Sequence, residues 1–592
     1  MKAKLFLGTG AATIALVGAG IEFGGQAPDD GAPFVNPLAF AKSICGDDPA
    51  APAKRRQFFM RIARAYANEG AAVPTDAAPA RIGDIAYSVT TTSNLAQAHF
   101  NQGLAQIWNF NHGAAIDSFR AAQAADPQCA MCFWGEALAY GPNINAPMAE
   151  EAVAPAFAAV TQALALRDKV GEKERDLITA LGYRYQQNPI ADRSKLDNAF
   201  ADAMDKAALK YPDDDFILTL AAEANMDTQA WDYWMSDGRT EKGRTSRTVS
   251  LIESVLARNP SHPAAIHLYI HITEATRDPY RAAPYADKLA ALTPGLGHLI
   301  HMPSHTYYRI GRFKESIDAN VAAVAADEDF LASNEGSLMY RYGYYVHNVH
   351  FVMTSAQMAG DAETALAMAK KLDEKLPAEM AAAVPFAQPI KAAPYFAMAQ
   401  FAEPQAILDL PDPGADLPYL QGLWRYARGE AYAKMGDVEM ARGEAAAIAK
   451  LIAEADLKPL EALNIPATDI LTIARLVVSA RAAAADGALD DAVDAMAEAV
   501  ALQERLNYTE PPYWYYPTKQ TLAAMVLRKG DAERAEQLFI EALAEAPNNG
   551  WVLFGLTEAY KTQKDKSGAK YASNLFQDAW AGDKKAIALD RL

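Results

Sequence analysis

Five residues set at fixed intervals occur twice in the chain, 420 residues apart. Gly103, Ala115, Phe119, Ala122 and Pro127 are separated by 12, 4, 3 and 5 residues, and Ala523, Ala535, Phe539, Ala542 and Pro547 repeat the same intervals. Small residues at the first two places let two helices approach closely. The aromatic ring fills the seam between them, and the proline stops the second helix, because it lacks an N–H and clashes with the preceding turn. A chain punctuated this way folds as stacked helical pairs. Its 592 residues also exceed what one core fills, since single cores stop growing near roughly 250–300 residues. Alternating β-branched runs and Asn-Gly hairpin signals are nearly absent, so no sheet is expected.

Further copies are looser: Gly429, Tyr432, Gly436 and Ala441; Gly311 with Ala323; Gly360-Asp361 with Ala365 and Pro377; Gly487 with Ala492 and Ala499. The pattern resembles the tetratricopeptide repeat of 34 residues. The expected fold is therefore all-α, a tetratricopeptide-type helical-repeat solenoid wound as a right-handed superhelix. The expected divisions are 1–27, a signal peptide; 28–90, a linker and N-terminal helical segment; 91–400, a first solenoid; and 401–592, a C-terminal solenoid. Inserts interrupt the array at residues 141–153, 227–248 and 401–420, the last rich in Pro and Asp.

Eight of the ten histidines fall between residues 262 and 350. His298, His301, His305 and Tyr308 recur at i, i+3, i+7 and i+10. On one continuous helix they span an arc of about 80°. His301, His305 and Tyr308 each lie 34 residues after His267, His271 and Glu274, one repeat period. The two sets are thus expected on adjacent helices, at one height and on one face. His347 and His350 follow His298 and His301 by 49 residues, and Glu223 precedes His271 by 48, a period plus an insert in each case. All fall on the first helix of a pair, at offsets that in tetratricopeptide proteins line the concave groove.

The candidate metal ligands are His267, His271, Glu274, His298, His301, His305, His347, His350 and Glu223. Neutral imidazoles with a carboxylate suit a transition metal, Zn, Cu or Fe, rather than a hard cation. The i, i+4 pairs His267/His271 and His301/His305 are two-point anchors on one helix face. Such ligands must be neutral, so binding is expected to weaken below a pH of about 6.5. Two other uses of the groove compete with simple metal binding. One is a metal-dependent hydrolase or oxidoreductase with Glu274 or Glu223 as base. The other is a metal-free scaffold in which the histidines bind a partner. No phosphate-binding loop, dinucleotide fingerprint or Gly-x-Ser-x-Gly elbow is present, so no catalytic residue is assigned.

The stretches His267-Leu-Tyr-Ile-His271, Gly297-His-Leu-Ile-His-Met-Pro-Ser-His305, Asp126-Pro-Gln-Cys-Ala-Met-Cys-Phe-Trp-Gly135 and Asn549-Gly-Trp551 resemble a subgroup of bacterial tetratricopeptide proteins that are often exported. The resemblance implies a helical fold and a binding role rather than a reaction.

Lys2 and Lys4 precede an apolar run over residues 5–21, followed by Gly25-Gln26-Ala27. This reads as a signal peptide cleaved after Ala27, or else an uncleaved anchor, and places the chain in the periplasm or outside the cell. Cys129 and Cys132 follow Pro127 near a helix start, where a disulfide and two packed thiols are both consistent with the spacing; a bridge to Cys45 is a further pairing. A net charge of −18 without a basic run argues against nucleic acid and anionic membranes as partners. A protein or peptide partner remains, with no membrane contact beyond an N-terminal anchor. The clusters Trp231-Asp-Tyr-Trp234 and Tyr513-Trp-Tyr-Tyr516 either stack on a ligand or cap an insert against the core.

Overall fold

The computed structural model describes residues 82–190, 192–333 and 336–592. The leader, most of the linker and Cys45 lie outside these residues. Helices follow one another from Asn94–Trp108 and His112–Ala125 to Gly550–Thr562 and Lys566–Ala579. Among the described residues, extended pairing amounts to the isolated bridges Asn143–Ala146 and Trp234–Glu241. No described helix is long and apolar enough to cross a membrane.

The spaced residues do in space what their sizes require. The Phe119 ring is fully buried between the helices Asn94–Trp108 and Ala130–Ala139. A Cβ on Gly103 would come within 2.7 Å of that ring, and one on Gly135 within 2.3 Å. Phe539 meets Gly555 in the same way, at 2.3 Å. Each ring therefore joins its own pair to the next, and the stack propagates. Boundaries between paired helices are built from Gly-Asp steps. Gly360 and Gly436 end first helices in the left-handed region (φ 76° and 79°), which a side chain would oppose. Asp361 and Asp437 then cap the second helices, accepting from the N–H groups of Thr364 and Met440. The fold is a tetratricopeptide-type helical-repeat solenoid.

Its buried apolar residues form two large clusters, one from Phe100 to Tyr344 and one from Val324 to Leu592. The two interleave around residues 324–344, and residue 401 lies well within the span of the second. The array curls back on itself. Trp551 Nε1 donates to the Gln357 carbonyl at 2.9 Å, and the segment between the helices Leu489–Gln503 and Thr518–Arg528 reaches the histidine-bearing helices. Cys129 and Cys132 are joined by a disulfide, and both are fully buried.

Candidate metal centre

His267, His271 and Glu274 stand on the helix Pro263–Glu274. The continuous helix expected for His298, His301 and His305 is interrupted. It divides into Gly297–His301 and Pro303–Arg309, because Pro303 has no N–H to continue the ladder. The bend keeps His301 and His305 adjacent. His347 and His350 belong to Tyr345–Ala359, which continues a π-helical turn over Tyr340–Tyr344. Pro263–Glu274 packs against Pro303–Arg309, and Gly297–His301 against Tyr345–Ala359, so histidines one period apart face each other.

Six of the histidines form two sets of three. His267, His271 and His298 each bring a ligand nitrogen within 4.8 Å of the others, as do His301, His305 and His347. Glu274 stands behind both sets. His271 Nδ1 donates to Glu274 Oε1 at 3.0 Å, and His305 Nδ1 donates to Oε2 at 2.7 Å. Tyr508 Oη is a third donor to Glu274, reaching Oε2 at 3.0 Å. Burial alone would raise the Glu274 carboxyl, but His305 and the hydrogen bonds from His271 and His305 hold it at about 2. It is a carboxylate that fixes the tautomers of two imidazoles.

Those tautomers decide what the site can bind. Asn320 Nδ2 donates to the Ser316 carbonyl at 2.7 Å, which turns its Oδ1 toward His301 Nδ1 at 2.5 Å. His301 therefore carries its proton on Nδ1, and His305 does the same toward Glu274. With both rings neutral, both Nε2 atoms are lone-pair acceptors, and they face each other at 2.7 Å. Two buried acceptors at that distance call for a cation between them or beside them. In the other set His267 Nε2 and His298 Nε2 are 3.1 Å apart, and His271 Nε2, also a lone pair, has no hydrogen-bond partner.

Burial pushes His267, His298, His301 and His347 well below the usual histidine range, and the neighbouring imidazoles add to the effect. Burial also lowers His271, against the pull of Glu274. These five imidazoles are thus already in the ligand form, and protons compete for them only well below the ordinary range. This revises the expected onset of acid weakening near a pH of about 6.5. Metal affinity should stay nearly level between about pH 7.5 and 6, where an exposed histidine pair would lose it. Calorimetric titrations at both pH values check this; a loss as large as that of an exposed pair would contradict it.

Besides Glu274, two of the sequence candidates fall outside both sets. His350 Nε2 meets Tyr515 Oη at 2.8 Å, and burial takes its pKa down to about 3. Glu223 lies on the neighbouring helix Asp215–Asp227. Burial and the adjacent Asp227 raise its carboxyl to about 8, with Arg184 opposing. Arg184 itself is paired with Asp227 at 2.6 Å. Sequence reasoning missed Asn320, Tyr508 and Glu510. Glu510 forms a further group with Glu274 and His305, and its buried Oε2 has no partner. The flanking aromatic and proline run was the only signal for that segment.

The histidines open onto a cavity of 2120 Å³ lined by His271, His298, His305 and His347 together with Trp231, Tyr508 and Tyr513. Both aromatic clusters contribute to its wall. Trp231 meets the His271 ring edge-on at 5.2 Å, while Trp514 and Tyr515 are buried beneath the surface.

No protein-family model matches the chain, and no curated protein matches its sequence. Solved structures similar to it include the human IFIT1 dimer with m7Gppp-AAAA, 12% identical, with 83% of this chain and 96% of that chain covered at a TM-score of 0.31. Yeast Tom70 is 13% identical, with 82% and 91% covered and a TM-score of 0.27. The P58(IPK) TPR domain is 18% identical, with 58% and 90% covered and a TM-score of 0.19. Superpositions this loose carry no argument about this chain's function.

Proposed function

We propose that the chain is an exported binding protein that holds a transition metal on its inward-facing histidines and presents it to a ligand or protein partner in the adjoining cavity. The observation that carries this reading is the pair of lone-pair nitrogens, His301 Nε2 and His305 Nε2, facing each other at 2.7 Å. Each acceptor is fixed by a partner on the opposite ring nitrogen, Asn320 or Glu274. All-imidazole sets suit Zn, Cu or Fe. The cavity volume of 2120 Å³ exceeds the roughly 300–1,000 Å³ of an ordinary small-molecule pocket, which favours a peptide or another extended ligand.

Export is supported by Lys2, Lys4 and the apolar run over residues 5–21, and by a Cys129–Cys132 disulfide, which suits an oxidising compartment. Elemental analysis of untagged protein from the cell envelope tests both halves of the reading. Stoichiometric transition metal and a mature N-terminus at Pro28 are expected. Protein that stays metal-free after incubation with Zn²⁺ and Cu²⁺ would overturn the metal, and a cytosolic chain starting at Met1 would overturn export.

A further inference from the structure

Two sets of three imidazoles could be two separate sites or one. His271 of the first set and His305 of the second have ring centroids 5.6 Å apart, and His298 and His301 are 5.9 Å apart. Glu274 gives one carboxylate oxygen to each set, Oε1 to His271 and Oε2 to His305. The sets therefore share one wall and one orienting anion. Each set is closed by neutral nitrogens alone. Two divalent ions would bring four positive charges into a buried chamber that offers the Glu274 carboxylate and, at most, the unpartnered Glu510 beside it. Buried charge left uncompensated is costly, so the chamber calls for an added anion. His271, His298, His305 and His347 all border the cavity, which gives such an anion a path between the sets.

We propose that the six histidines form one paired centre. It takes two transition-metal ions, one on His267, His271 and His298 and one on His301, His305 and His347, with a small anion of the hydroxide or azide class shared between them. This rests on the metal-binding reading above and adds the number, pairing and ligand of the ions. Paired ions can act on one bound group from two sides, which a single ion cannot.

The test uses the full, untagged, metal-free chain and Cu²⁺ as the probe. Excess copper is removed with glycine, bound copper is counted by elemental analysis, and unpaired spins are counted by electron paramagnetic resonance with and without azide. The expected result is two coppers per chain, far fewer spins than coppers, and a spectrum that azide changes. His267→Ala and His347→Ala should each keep one copper that shows its full spin. No retained copper would overturn both the metal reading and the pairing. One copper per wild-type chain would overturn the pairing alone. Two coppers with two full, independent spins would do the same, as would a spectrum indifferent to azide. The wild-type counts decide the matter even if a variant fails to fold.

Discussion

The His271→Ala/His301→Ala double variant should lose tight binding of Zn²⁺ and Cu²⁺ altogether. Each substitution removes one nitrogen from a different set of three. A two-imidazole remainder cannot close a site whose other positions face apolar neighbours such as Phe110 and Phe351. Loss of a residue that only orients a ligand costs about 10–100-fold in affinity, so removing ligands from both sets should cost more than about 100-fold. Glu274→Gln should fall in that smaller range, and it should do so for both sets, because it replaces an acceptor that serves His271 and His305 together. His99→Ala is the control, since His99 belongs to neither set. Calorimetric titration reads all three. Parent-like binding by the double variant would show that the metal sits elsewhere.

Phe119→Ala should be the most damaging single truncation in the N-terminal repeats. The ring fills the space left by Gly103 and Gly135, so neither flanking helix has a side chain with which to collapse into the void. Deleting a fully buried Phe costs about 3–5 kcal/mol when the surroundings cannot relax. In a solenoid that loss falls on the interface between neighbouring repeats. The first unfolding transition in urea should move to markedly lower concentration, while the copper or zinc affinity of the protein that remains folded should change little. An unchanged transition would mean that the seam does not depend on the ring.

The architecture was legible because its signals are local. A small residue, a ring and a proline at set intervals dictate a helical pair wherever they occur. The height of the histidines was legible for a related reason: the 34-residue offset is a property of the repeat, so it survives into space. What the sequence did not reveal was set by layers that the repeat does not relate. Asn320 comes from the second helix of a pair, Phe313–Ser333, and it fixes the His301 tautomer across the seam. Tyr508 reaches Glu274 over 234 residues of chain, a distance at which no pattern of spacing speaks. Glu274 itself was read as a ligand. Its hydrogen bonds from two imidazole N–H groups, which let it orient ligands as well, carried no signal in the spacing. The break at Pro303 was visible as a residue, but its outcome depended on whether the next turn would resume at the same angle.

The Tyr508–Glu274 contact also bears on the order in which this protein comes into being. During synthesis every histidine of both sets leaves the ribosome long before the segment that covers them. For that interval Glu274 lacks its Tyr508 donor. The late arrival of Tyr508 and Glu510 completes the surroundings of Glu274, and a chain cut short before residue 500 would keep all six imidazoles while lacking both of them. The surroundings of Glu274 are thus finished only when the last hundred residues have folded.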